Sequence, residues 1–433
     1  MIAETPYWWD DAGPPEPAAE QPAPLPAEVE VLVIGAGLTG ASAARTLARA
    51  GRDVLVLEAG PLAIGASSRN GGMVGGGHRL SLDAMTARFG AETARALLRE
   101  AHLDSMAFVH SVMAEEGIDA DFRETGRFRG LWRNDEYEKT ARGLEALARH
   151  IPLDFEMIPR ERQREEIGSD LYRGGVVFHR HGGLNPAKWV KGLIAAARRA
   201  GARFEAGTPV TAIAQDGAAM RVETARGSVR AGQVLAATNG YTPSILPAQR
   251  RRVIPVPSFI VATEPLGANR MKDLFPKGRM VVESRERHCY FRPSPDGSRI
   301  VFGGRAALYD ATEPTVRNTL KRLIAQVFPD LGDIALTHSW RGYTGFSFEG
   351  LPNVGRIDGI WHAMGYSGSG NAMAPYLGHK AALAMLGTPE AETAFAKTAL
   401  PTRVWHRGNP WFLPAADIVF RLRDTWNDLR RSG

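Results

Sequence analysis

Three glycines and one acid carry the most specific chemistry in this chain. Gly35, Gly37 and Gly40 stand in GxGxxG spacing, and Glu58 ends the next apolar run. In such a set the first glycine permits a tight turn and the second lets the backbone approach a pyrophosphate. The third lets the following helix pack closely on the strand before it. Leu38 and Thr39 then open a helix whose N-terminal N–H groups face the phosphates, and Glu58, followed by Ala59, accepts hydrogen bonds from a ribose diol. The positioning elements are legible around them. Val29, Val31, Leu32, Val33 and Ile34 read as a buried parallel strand, Ala41 to Ala50 as a helix stopped by Gly51, and Val54 to Leu57 as a second strand. Strand, glycines, helix, strand and acid agree on a dinucleotide site, which makes a redox cofactor the starting expectation.

Composition is compatible with that expectation. The 433 residues, 44% hydrophobic and 23% charged, suffice for two domains with a large core. A formal charge of +6 suits an anionic dinucleotide or serves solubility alone. Arg250, Arg251 and Arg252 form the tightest basic cluster, too small to argue nucleic acid. Cys289 is the single cysteine, which excludes an intrachain disulfide and a cysteine-rich metal site. No apolar run approaches the roughly 18 residues of a membrane span, and acids and prolines stand where a signal peptide would be basic and then apolar. A cytoplasmic protein is the expectation.

The fold class expected is α/β, a two-domain protein in which a Rossmann-like domain is interleaved with a mostly antiparallel β-sheet domain. Residues 1–27, rich in proline, read as an extended arm whose cluster Tyr7, Trp8 and Trp9 docks on the chain's own surface or on a second copy, as in a homodimer. Residues 28–85, 180–250 and 335–390 are assigned to the dinucleotide-binding domain, 86–179 and 251–334 to the substrate domain, and 391–433 to a tail with a helix. Pro186 to Ala200 reads as a helix, Val210 to Val234 as an antiparallel excursion and Gln233 to Thr238 as a returning strand. Val253 to Thr263, Met280 to Glu283, His288 to Arg292 and Arg299 to Gly304 read as the second sheet. Val316, Leu320, Leu323, Ile324 and Val327 mark a core-facing helical stripe. Arg123, Arg127 and Arg129 alternate with Phe122 and Phe128 and predict a basic strand face turned to solvent. In the tail, Ile418, Leu422, Trp426 and Leu429 share one helical face with Arg421, Arg423, Arg430 and Arg431 around it. That face predicts docking on the body or on a partner, with a membrane surface as the alternative.

Three further motifs carry a family resemblance. Gly65 to Gly77 reads GASSRNGGMVGGG, Trp340 to Gly355 reads WRGYTGFSFEGLPNVG, and Gly365 to Gly370 reads GYSGSG before a helix. Together with the glycine fingerprint, they resemble the FAD-dependent D-amino acid oxidase (DAO) superfamily over roughly Tyr7 to Gly387. The branch is that of glycine and sarcosine oxidases and gamma-glutamylputrescine oxidoreductase-like amine oxidoreductases. The resemblance implies that Ser67, Ser68, Arg69, Asn70, Gly71, Gly72 and Met73 form a loop over the pyrophosphate and beside the flavin ring. It further implies that Val210 meets the adenine, that Thr238, Asn239 and Gly240 lie near the phosphates, and that Gly342 approaches the flavin. Gly365, Tyr366, Gly368, Ser369, Gly370 and Asn371 open a helix whose dipole stabilises negative charge on reduced flavin.

Departures from the pattern refine the implied chemistry. The cysteine that binds flavin in sarcosine oxidases falls near Gly342, and the histidine linkage of other relatives falls near Asn70, so noncovalent FAD is expected. Glycine and D-amino acid oxidases carry a carboxylate-clamping arginine where this chain has Thr344, which favours an amine, or an amino acid held elsewhere, as substrate. The implied reaction is oxidation of a C–N bond: hydride passes from the α C–H to flavin N5, and the imine is hydrolysed to a carbonyl compound and an amine or ammonia. Dioxygen or another acceptor then reoxidises the flavin. Candidates for the substrate wall are His78, Tyr290, Arg292, Tyr343 and Thr344, each with an ordinary packing role as its alternative. Two other functions stay open on these residues: a tRNA-modifying flavoenzyme of the same superfamily, which salt-dependent RNA binding would reveal, and a flavin-binding protein without turnover.

Overall fold

The computed structural model describes residues 2–77 and 80–429. Among them the apolar β-branched run Glu28–Ile34 forms the middle of a sheet. It pairs in parallel with Val54–Leu57 on one side and Gly227–Ala236 on the other. The order continues outward to Arg203–Glu205 at one edge and to Ile360–Met364 and Asn353–Ile357 at the other. Parallel strands buried on both faces need cover on both. Leu38–Arg49, Pro186–Arg199 and Gly370–Leu386 cover the face of Val31, Val33, Val54 and Val56, and Met220, Val222 and Val229 of the antiparallel excursion cover that of Leu32, Ile34, Leu55 and Leu57. Two glycines allow the close approach: a Cβ on Gly40 would stand 1.9 Å from Gly35 O, and one on Gly378 would stand 2.3 Å from Thr39 O.

The excursion and the returning strand, read separately in the sequence, share one element. Gly227–Ala236 begins antiparallel to Ala219–Thr224 and then runs parallel to Glu28–Ile34. The strand runs on through Gly232, where the antiparallel pairing ends and a Cβ would stand 2.9 Å from Glu30 O, so one strand serves both neighbours.

The second sheet has the order Leu336–Ser347, Val253–Thr263, Ile300–Gly304, Cys289–Pro293, Met280–Glu283, Arg127–Gly130, Gly175–Phe178 and Phe155–Ile158. Alternation gives it two faces. Phe128, Val281, Phe291, Phe302, Phe259 and Val261 point to one of them, fully buried beneath Glu313–Val327, whose Val316, Leu320, Ile324 and Val327 cover them. The opposite face looks onto the first sheet across a cleft.

Three expectations are corrected here. Leu336–Ser347, assigned with residues 335–390 to the dinucleotide-binding domain, pairs along its length with Val253–Thr263 and belongs to the second sheet. The arm at residues 1–27 is not extended throughout, because Trp8–Ala12 forms a short helix between Pro6 and Pro14. The prolines bound that helix rather than interrupt it, and Trp8 is 0% exposed. The C-terminal helix Leu413–Leu429 turns its expected docking face outward: Ile418, Leu422 and Trp426 are 60, 66 and 57% exposed. It docks instead through Leu413, Ala416 and Phe420, which pack with Ile254, Val256 and Leu308, and through acids. Asp417 faces Arg287 at 3.4 Å, Asp424 accepts from the Arg287 N–H, and Asp428 accepts from the Trp132 indole N–H at 2.7 Å. A second apolar set and the acids that meet buried donors thus share the docked face, and the stripe of Ile418, Leu422 and Trp426 lies outside it. The Leu429 side chain, Arg430 and Arg431 lie outside the described region. Among the described residues, no helix is long and apolar enough to cross a membrane.

Candidate active site

A cleft of about 1540 Å³ separates the two sheets, larger than the roughly 300–1,000 Å³ of an ordinary small-molecule pocket. At its floor, Gly35 N–H donates to Leu57 O at 2.8 Å with φ +102°, a left-handed turn that favours glycine. Ser67 Oγ accepts from the Leu38 N–H at 3.0 Å, and a Cβ on Gly37 would stand 2.9 Å from that oxygen. Glu58 braces this turn by accepting from the N–H groups of Ala36 (2.9 Å) and Gly60 (3.3 Å). Ala59, Thr39, Val210, Thr238, Asn239 and Gly240 line the same end of the cleft, while Gly40 sits behind it as the helix–strand contact.

The loop from Ser67 to Met73 is held from several sides. Three indole N–H groups donate into it: Trp8 to Asn70 O (2.8 Å), Trp340 to Arg69 O (2.8 Å) and Trp9 to Ser68 Oγ (3.3 Å). The Arg69 guanidinium lies 4.8 Å from the Trp9 ring and donates to Ile64 O at 2.7 Å. Asn70 Oδ1 accepts from Gly72 N–H and from Asn371 Nδ2, both at 2.8 Å, and Asn371 Nδ2 also donates to Met73 O. Ser68 points away from the cleft, its Oγ donating to Ala63 O at 2.5 Å. Arg292, expected at the substrate, stands behind the loop instead and donates to Gly72 O (2.8 Å) and Leu184 O (3.0 Å). The sequence could not show this, because two backbone carbonyls from distant segments claim the guanidinium.

The helix Gly370–Leu386 points its N-terminus into the cleft, with Gly368, Ser369, Gly370 and Asn371 on the wall. Asn371 Oδ1 is buried without a hydrogen-bond partner among the described residues. Gly365 N–H donates to Asn239 Oδ1 at 2.9 Å, and the Tyr366 and Thr39 hydroxyls meet at 2.7 Å. These contacts join the ends of three separate strands.

The second sheet supplies the facing wall. Tyr290 and Ser258 share a 2.8 Å hydrogen bond, and a Cβ on Gly71 would stand 2.8 Å from the Tyr290 ring. Burial raises the Tyr290 pKa, so its hydroxyl stays protonated. Ile260 and Thr344 lie on the same face, and Gly342 packs on Arg69. Tyr343 stands at the rim, donating to Asp310 Oδ1 at 2.8 Å; burial and that carboxylate push its pKa up to about 12. His78 lies outside the described residues. Arg127, expected to face solvent, is turned into the cleft; Arg129 also lines it while remaining exposed as expected, with Phe128 between them in the core. The alternation was legible, but the element facing it was not. Cys289 is 0% exposed in the aromatic core, so no thiol reaches the cleft.

The donor set fits an FAD. A glycine cradle, an acid at the end of the second strand, a clamped small-residue loop and a helix N-terminus follow one another along the cleft, which is the layout of a flavin-dependent oxidoreductase. The family model described as FAD dependent oxidoreductase (DAO) matches residues 30–383, and the chain belongs to that family. Probable oxidoreductase OrdL of Rhizobium meliloti is 34% identical over 88% of this chain and 88% of its own. The gamma-glutamylputrescine oxidoreductase of Escherichia coli is 30% identical over 85% of this chain and 86% of its own. Glycine oxidase from Geobacillus kaustophilus superposes with a TM-score of 0.70 at 22% identity, covering 88% of this chain and all of that one (100%). The protein is an FAD-dependent oxidoreductase of a family acting on amines and amino acids.

Proposed function

We propose that this chain oxidises the C–N bond of an amine, or of an amino acid whose carboxylate is held away from Thr344. The observation that carries the reading is the set of uncharged side chains Ser258, Ile260, Tyr290 and Thr344 against the Gly71 loop, with Arg305 near Tyr290 as a cation that disfavours a protonated nitrogen there. A wall of that kind desolvates the substrate nitrogen and favours its neutral form, whose lone pair assists loss of hydride from the adjacent carbon. Bound in the cleft, noncovalent FAD supplies the two-electron acceptor. The Tyr290–Ser258 hydroxyl pair offers a donor and an acceptor within 2.8 Å of each other and orients the nitrogen. The imine formed is hydrolysed to a carbonyl compound and an amine or ammonia, and dioxygen or another acceptor takes up the electrons. That one relative is named for gamma-glutamylputrescine, an amine, supports the same reading.

The test is anaerobic mixing of the holoenzyme with primary, secondary and N-methyl amines and with D-amino acids. Loss of the oxidised flavin absorbance with an amine is the expected result. Bleaching by D-amino acids alone, or by nothing in the panel, would overturn the proposal.

A further inference from the structure

We infer that Arg127 forms an anion subsite at the far end of the cleft, so that the substrate is an amine carrying a carboxylate remote from the reacting nitrogen. The inference rests on the amine reading above and names the second group that such an amine presents.

Its basis is the sheet register. Arg129 pairs with Val282, and Val282 pairs with Tyr290. Arg127 lies two residues before Arg129 and therefore on the same face as Tyr290 and the wall against the Gly71 loop. Two strand spacings separate the strand of Arg127 from that of Tyr290, a lateral offset of about 10 Å. A molecule with its nitrogen beside Tyr290 reaches Arg127 only if it is extended.

Among the described residues, no acid pairs with Arg127. Its Nε is buried with no hydrogen-bond partner among them, one terminal nitrogen donates to Gly76 O at a long 3.3 Å, and the guanidinium lies 5.5 Å from the Phe178 ring. Burial, and then Arg129, push its pKa down to about 10, which still leaves it charged at neutral pH. His181 beside it is no counter-ion: burial holds its pKa well below the usual range, and its Nε2 accepts from the Gly76 N–H. The nearer acids of the cleft are engaged elsewhere. Glu283 pairs with Arg285 at 2.6 Å and accepts from Tyr172, and Glu136 accepts from Trp132 N–H and from Ser284. A buried guanidinium without a carboxylate is costly, and a substrate carboxylate arriving there relieves that cost through charge-assisted hydrogen bonds.

The experiment compares linear ω-amino acids of increasing length with their terminal amides, using the holoenzyme. For the best chain length, kcat/KM for the acid should exceed that for the amide by about 10- to 100-fold, the value of a charged hydrogen-bonded contact. Arg127→Gln should bring that ratio close to one, mainly through KM for the acid, and Arg127→Lys should recover part of it. Glutarate, which carries no amine, gives a second readout: calorimetry should show binding to the wild type weakened at least tenfold by Arg127→Gln, with FAD content measured alongside. Equal kcat/KM for acid and amide in the wild type, or equal glutarate affinity in wild type and Arg127→Gln, would overturn the inference. A protein that oxidises no amine yet loses glutarate binding with Arg127→Gln would refute the amine reading and leave the anion subsite standing.

Discussion

The indole N–H of Trp8 donates to the carbonyl oxygen of Asn70 across 2.8 Å, tying the N-terminal arm to the loop beside the flavin position. The ring is fully buried, edge-on to Trp340 at 6.3 Å, and Trp340 holds the neighbouring carbonyl of Arg69. Two indoles from distant parts of the chain thus fix consecutive peptides of one loop.

Trp8→Phe keeps most of the packing and deletes that hydrogen bond, leaving the Asn70 carbonyl unsatisfied at a cost of about 1–3 kcal/mol. FAD should dissociate roughly tenfold more readily, as followed by the recovery of flavin fluorescence on dilution. Unchanged retention in both Trp8→Phe and a variant lacking residues 2–12 would remove the arm from cofactor binding.

Gly40→Ala should abolish FAD binding, because its Cβ would stand 1.9 Å from Gly35 O, in the glycine turn at the floor of the cleft. Gly143→Ala is the opposing case, a mid-helix glycine with open space around its Cβ position, and should stabilise the fold by about 0.4–1 kcal/mol. Flavin content after purification and urea midpoints separate the two.

Asp417→Ala removes the carboxylate facing the largely buried Arg287, which keeps its bonds to Arg305 O and Ala306 O, and should cost about 1–3 kcal/mol, whereas Ile418→Lys on the outward face should change stability by less than about 0.5 kcal/mol. The reverse ranking in chemical denaturation would restore the apolar docking face that the sequence suggested. Because Glu286 and His288 line the cleft on either side of Arg287, Asp417→Ala should also raise KM.

Burial lowers the pKa of His362 to about 4; its Nε2 lies 2.7 Å from Asn353 Oδ1 and donates there, while Nδ1 is buried with no partner among the described residues to take a second proton's hydrogen bond. The folded state resists protonation that the unfolded chain accepts. This contribution is therefore complete above about pH 6.5 and is lost as pH falls toward 4, by at most about 1.4 kcal/mol per pH unit. His362→Gln should show a shallower fall of the urea midpoint between pH 7 and 4.5 than the wild type. Parallel curves would rule this histidine out as a source of acid sensitivity.

Thr344→Arg places a guanidinium on the wall near Tyr290. It should raise kcat/KM for glycine and D-alanine relative to an alkylamine by about 10- to 100-fold. No change in that ratio would show that Thr344 does not govern choice at the nitrogen end.

What could be read in advance follows local rules. The turn at Gly35, the helix after it, the acid at Glu58 and the stripe at Val316, Leu320, Ile324 and Val327 are each specified by residues within a turn or two of one another. Periodicity and glycine spacing report such elements directly. The site wall was legible only in outline. Tyr290 and Thr344 do line the cleft. Arg292 does not, since it is consumed by carbonyls more than 100 residues away in the chain (|i−j| of 220 and 108).

The sequence by itself determined the dinucleotide strand, its glycines and the order of the flavin motifs, because strand, turn and helix chemistry is written in neighbours. Only the tertiary structure decided the orientation of faces. It turned Arg127 into the cleft, Trp8 onto the flavin loop, and Ile418, Leu422 and Trp426 out to solvent. A period-two or helical pattern names the two faces of an element. Which face is buried depends on the donors, acceptors and apolar surface that distant segments bring against it.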